Sequence, residues 1–104
     1  MRSDYSMMSI NDFQGLMKTL YGDRDVARGA QGTMLWLVSE VGEFIEAVVK
    51  NKSPESMKGE AADVLAWLCS ACNVLGIDLE IAATSKYNGK CPRCESSPCR
   101  CSKR

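Results

Sequence analysis

Apolar residues recur along most of this chain at the three-and-four spacing of helices, and strand-like alternation is nearly absent. Ile10, Phe13, Leu16, Met17 and Leu20 mark a first helix. Ser9 serves as its cap, Asp12 sits three residues on, and Gly22 supplies a stop. The polar stretch from Asp23 to Gly32, which holds Gly29 and Gly32, reads as a loop or a broken turn. Thr33 is the expected cap of a second helix running to about Asn51. Ser53-Pro54, a cap followed by proline at the first helical position, starts a third helix that ends at Gly76. Asp78 caps a shorter fourth helix, which stops at Asn88-Gly89. Links this short force neighbouring helices to run antiparallel. The expected fold is all-α, a small antiparallel four-helix bundle followed by a short cysteine-rich, metal-binding tail.

The faces of these helices carry the first chemical signal. In the second helix Leu37, Val41, Phe44, Ile45 and Val48 form an apolar side expected to face the core. Glu40 and Glu43 share an adjoining strip, flanked by Trp36 and Ala47. In the third helix Val64, Leu65, Leu68, Ala71, Cys72 and Leu75 make the core side, while Glu60, Asp63 and Trp67 share another strip. Each carboxylate pair is spaced i, i+3, about one turn apart on one face. Antiparallel packing would bring both indoles to the same end of the acidic cluster.

Carboxylates on amphipathic helices usually face water. Here no Lys or Arg stands at i+4 from any of the four to relieve like-charge repulsion. Gly42 in mid-helix costs about 1 kcal/mol relative to alanine, which suggests a close approach. Four acids converging between two helices call for a hard divalent cation, Mg²⁺ or Mn²⁺.

Composition narrows the class. With 104 residues there is room for one compact domain, and 45% hydrophobic with 25% charged residues is ordinary for a globular protein. The densest apolar run, Leu35 to Val38, is far too short to span a membrane, and residues 1–6 lack an apolar signal segment, so a cytoplasmic protein is expected. Thirteen basic and thirteen acidic residues balance, yet six of the basic ones lie between Lys86 and Arg104, opposed only by Glu95. The body is therefore acidic and suited to cations, and a basic footprint for duplex nucleic acid is missing. Histidine is absent, which excludes Ser-His-Asp and Cys-His catalysis, His-ligated zinc and the Glu-x-x-His di-iron pattern.

Glu40-x-x-Glu43, sixteen intervening residues and Glu60-x-x-Asp63 resemble the ExxE…ExxD signature of the MazG-like nucleotide pyrophosphohydrolases, within the all-α NTP pyrophosphatase superfamily. Trp36-Leu37 before the first motif, Gly59-Glu60-Ala-Ala-Asp63-Val-Leu-Ala-Trp67, Gly76 to Glu80 and Lys86-Tyr87-Asn88 are similar too, so the likeness covers approximately residues 10–90. The resemblance implies Mg²⁺-dependent hydrolysis of a nucleoside triphosphate, ribo or deoxy, to the monophosphate and pyrophosphate. Glu40, Glu43, Glu60 and Asp63 would hold the ions, and metal-activated water would attack the α-phosphate. Lys86 and Asn88 fall near a segment that contacts phosphate in the family. Trp36 and Trp67 are candidates for walling the base or sugar, with plain core packing as the alternative. The family also implies a homodimer or homotetramer, for which Phe13, Met17 and Ile81 are candidate interface residues. One departure is Ser39, where many members carry another Glu. It leaves the proton-transfer step without its usual base, and Glu46 is a weak stand-in.

The cysteines are a separate signal. Cys91-Pro-Arg-Cys94 and Cys99-Arg-Cys101 place four thiols within eleven residues of a segment that has almost no large apolar side chain. Four thiolates in this setting suit a structural Zn²⁺, the other reading being a tail of reduced thiols. The chain thus divides into a helical domain, 1–89, and a zinc-knuckle-like tail, 90–104. With Lys90, Arg93, Arg100, Lys103 and Arg104 the tail could contact phosphate or RNA. The alternative function is accordingly a non-enzymatic zinc-knuckle adaptor that binds nucleic acid or a protein partner. Cys69 and Cys72 also read CxxC, but they fall on or beside the apolar side of the third helix and are expected to be small core residues.

Overall fold

The Ser9 hydroxyl accepts from the Asp12 N–H while the Asp12 carboxylate accepts from the Ser9 N–H, and this reciprocal cap opens α1, Ile10–Val49. The computed structural model describes residues 8–104, so the signal-segment reading of residues 1–6 lies outside the described residues. Ser53 caps α2, Pro54–Leu75, which closes at Gly76 in the left-handed region, and Asp78 caps α3, Leu79–Lys86. Among the described residues there are three helices and no strand.

The expected four-helix bundle is therefore corrected to an all-helical fold of three helices, because the first two predicted helices are continuous. Gly22 does not stop the chain, and residues 23–28 are helical. A straight helix of 40 residues would measure about 60 Å, whereas the longest dimension of the fold is 42 Å. The bend lies at Gly29, whose φ of 87° and ψ of 168° leave helical space for a region that essentially only glycine occupies. Thr33, the expected cap, is fully buried instead. Its hydroxyl donates to the Gly29 carbonyl at 2.8 Å and accepts from Arg28 at 3.1 Å. Arg28 folds back so closely that a Cβ on Gly32 would lie 2.8 Å from its Cγ. Asp25, itself buried, pairs with Arg28 at 2.9 Å. The polar stretch is thus helix on either side of one break, which Arg28 bridges by bonding to Asp25 before it and Thr33 after it.

α2 packs along α1, and α3 makes a smaller contact with α1. Buried Gln14 ties the three together: it donates to the Asn73 side chain at 3.0 Å and the Ile77 carbonyl at 2.8 Å, and accepts from the Leu79 N–H at 3.0 Å. The core face of α1 is displaced by one position from expectation. Leu37, Glu40 and Phe44 are half-buried and Ala47 is fully buried, whereas Val41, Ile45 and Val48 are exposed. On α2, Cys69, Ser70, Ala71 and Cys72 are buried, so the two cysteines are core residues as expected, while Leu65 and Leu75 are exposed. Met17, expected at an interface, is buried in the core, whereas Ile81 is exposed and Phe13 half-buried. No single described helix is long and apolar enough to cross a membrane.

Two glycines predict opposite outcomes. Gly29→Ala should lower stability by about 1–3 kcal/mol because its backbone conformation is strained for any side chain. Gly42→Ala should raise it by about 0.5–1 kcal/mol, since its added Cβ meets nothing within 4 Å and alanine is the better helix former. Nothing approaches Gly42, contrary to the sequence expectation. Urea denaturation of the two variants checks both signs.

Candidate functional site: an acidic cluster beside a cleft

Inward rotation of the α1 face by one position turns Glu40 toward α2. Carboxylate oxygens of Glu40, Glu60 and Asp63 lie within 4.8 Å of one another. Glu43 stands beside Glu40 but outside this three-way group. Desolvation raises the Glu40 carboxyl above its ordinary value, and the adjacent Glu43, then Asp63 and Glu60, raise it further. The Glu40 charge is thus held at a cost that a bound cation would offset. Mg²⁺ bonds of 2.0–2.1 Å set ligand oxygens about 3–4 Å apart. Glu40 and Glu60 are only half-buried and Asp63 is exposed, so these side chains can close the small remaining gap. Hard oxygen donors of net negative charge are the donor set that Mg²⁺ or Mn²⁺ prefers.

The two indoles meet as antiparallel packing requires. Trp36 and Trp67 stack at 5.4 Å between ring centroids and 10° between planes, and the Arg28 guanidinium lies over the Trp67 ring at 4.9 Å. Trp67, Arg28 and Asp25 line a cleft of about 340 Å³ that reaches Asp63. Lys86 belongs elsewhere. It lines a different cleft, of about 530 Å³, with Tyr87, Arg93, Lys103 and Arg104, and Asn88 is exposed beyond the end of α3. Glu46 contacts Lys50 at 3.5 Å and Lys52 at 3.4 Å, and the two ammonium groups, Lys50 first, hold its carboxyl below the ordinary range. Asp25, Arg28 and Thr33 were missed in the sequence. Their i, i+3 and i, i+5 spacings were the available signal, masked by the two glycines beside them.

The tail gathers its four sulfurs. Cys91, Cys94, Cys99 and Cys101 place their Sγ atoms within 4.8 Å of one another, with Cys91–Cys101 at 3.8 Å and Cys94–Cys99 at 3.9 Å. Tetrahedral coordination with Zn–S bonds of 2.3 Å sets sulfurs about 3.8 Å apart. Backbone N–H groups of Arg100 and Ser96 pull the Cys94 thiol down to about 6, and neighbouring thiols, Cys99 foremost, push Cys101 up to about 12. The donor set and its spacing suit a tetrahedral thiophilic ion. No residue of 90–104 is buried, so the tail has no core of its own.

The family model of the MazG nucleotide pyrophosphohydrolase domain matches residues 28–95, about two-thirds of the chain. The protein belongs to this family of hydrolases, which act on nucleotides. The matched segment contains all four acidic motif residues, both tryptophans and the first cysteine pair. Comparison with curated proteins gives no match.

Proposed function

We propose that the protein hydrolyses a nucleoside triphosphate, ribo or deoxy, to the monophosphate and pyrophosphate, using Mg²⁺ or Mn²⁺ held by Glu40, Glu43, Glu60 and Asp63. The observation that carries this reading is the convergence of three motif carboxylates from two helices within 4.8 Å, beside a cleft that reaches Asp63. A divalent ion supplies water activation and charge neutralisation at the α-phosphate. The chain's own residues do the rest. The carboxylates fix where the triphosphate lies, and the stacked Trp36 and Trp67, one turn from Glu40 and Asp63, stand where they would meet base or sugar. With Ser39 in place of the family's extra Glu and Glu46 tied to two lysines, no dedicated carboxylate base stands beside the four metal-holding acids, and ionisation of the attacking water would rest on the divalent ion. Phosphate contacts from Lys86 and Asn88 have no support within one chain, since Lys86 opens on the tail cleft.

A homodimer or homotetramer completes the proposal. Met34, Val38, Val41, Ile45 and Val48 repeat at alternating spacings of four and three along one edge of α1, and each is 38–66% exposed. Such an apolar seam is what a packed partner helix requires. In the tail, Cys91, Cys94, Cys99 and Cys101 hold a structural Zn²⁺ that orders residues lacking a core. The adaptor reading draws on the cysteine cluster and the basic cleft at Lys86, Arg93, Lys103 and Arg104, but it leaves the acidic cluster without a purpose. A panel of nucleoside triphosphates, assayed for pyrophosphate with and without chelator, tests the enzyme. Release that stops on chelation supports it, and no release from any nucleotide removes it.

A further inference from the structure

The acidic cluster uses none of the positive charge gathered at the end of the chain. Lys86, Arg93, Lys103 and Arg104 line the cleft of about 530 Å³ between the end of α3 and the cysteine tail, and all four are exposed. None of them forms an ion pair among the described residues. Glu95, the one acid from Lys86 onward, is paired with Lys90 at 3.3 Å and lines no part of this cleft. A Zn²⁺ held by four thiolates would add a charge of about −2, which the four cations outnumber. The cleft is thus a set of cations without counter-ions, on walls that the metal site would hold in place.

A second cleft, of about 350 Å³, adjoins it. It shares Tyr87 with the first and adds Ser97 and Pro98. Its one cation, Lys90, is the one that Glu95 neutralises. At 59% exposed, Tyr87 keeps ring surface open to a flat partner even with the Lys86 ammonium 5.8 Å from its centroid. We propose that the two clefts form a second binding site, for single-stranded nucleic acid, with backbone phosphates in the cationic cleft and an unstacked base in the neutral one against Tyr87. Unpaired cations beside an open aromatic ring are what a sequence-tolerant single-strand site requires. A duplex offers phosphates but keeps its bases stacked inside, so it can fill only the first cleft. The site shares no residue with the acidic cluster and stands whether or not that cluster hydrolyses nucleotides.

The test is fluorescence anisotropy of the full chain with equimolar Zn²⁺, using labelled single-stranded DNA and RNA of about 12 nucleotides, the same sequence as a duplex, and labelled polyglutamate. These oligonucleotides carry no triphosphate, so binding is read apart from hydrolysis, and Asp63→Asn should bind them as the native protein does. A single strand, DNA or RNA, should bind more tightly than the duplex and far more tightly than polyglutamate. Its affinity should fall with salt at a log–log slope of about −3, the value for four phosphate contacts on a single strand. Arg93→Gln should flatten that slope by about 0.7. Tyr87→Leu should weaken binding by at least about fivefold with the slope unchanged, and Tyr87→Phe should bind as the native protein does. Equal or tighter binding of the duplex, equal binding of polyglutamate, no binding of either single strand, or loss of binding in Asp63→Asn overturns the proposal. So does binding that neither Arg93→Gln nor Tyr87→Leu alters. Should Tyr87→Leu fail to fold, the comparison of single strand, duplex and polyglutamate on the native protein decides.

Discussion

Asp63→Asn should cut pyrophosphate release by about a thousandfold, the scale of several kcal/mol of transition-state stabilisation that a correctly held divalent ion contributes. The substitution is nearly isosteric, and Asp63 is exposed at the mouth of the cleft, so the core is untouched. Far-UV circular dichroism and thermal unfolding should therefore match the parent while kcat/KM collapses. Full activity in this variant would remove Asp63 from the metal site and break the link between the acidic cluster and hydrolysis.

The second large effect concerns the tail. Purified protein should contain one zinc per chain, and Cys94→Ser should reduce this to below about a tenth, because a structural site with three thiolates no longer closes. Cys94 is the informative position. Its sulfur accepts the Arg100 N–H at 3.3 Å, and the Arg100 and Ser96 N–H groups lower its thiol to about 6, which favours the thiolate that a metal ion takes. Acid should release zinc as protons compete for the four thiolates, with retention as pH rises. The helices should survive, since no residue of 90–104 is part of the buried core. Elemental analysis and circular dichroism read the two outcomes together. A tail that stays folded and metal-free would return the cysteines to simple thiols.

Much of the architecture was legible where the chain carries strong local punctuation. Ser53-Pro54, Gly76 and Asp78 fix the ends of α2 and the start of α3 because caps act through neighbouring backbone groups. The stretch from Asp23 to Gly32 was opaque for the opposite reason. Arg28 joins Asp25 to Thr33 across the break, and hydropathy spacing cannot register such a bridge. Gly29 did announce an interruption, but one residue with a φ of 87° bends a helix without ending it. The acidic motif was legible in spacing alone, as i, i+3 pairs on adjoining helices. That Glu43 stands outside the tight group, and that Val41, Ile45 and Val48 turn outward, depend on how α1 rotates against α2. That rotation is set by the packing of Ala47 and Thr33, both fully buried, which no local pattern specifies.

The central claim is that Glu40, Glu60 and Asp63, with Glu43 alongside, form a divalent-cation site. Mn²⁺ titration followed by electron paramagnetic resonance tests it without reference to any nucleotide. The account predicts saturable binding to the native protein, weakening on acidification at a higher pH than an ordinary carboxylate would give because the Glu40 carboxyl is raised, and loss of that binding in Glu60→Gln and Asp63→Asn. Binding of equal strength in those variants, or none in the native protein at millimolar Mn²⁺, would contradict it.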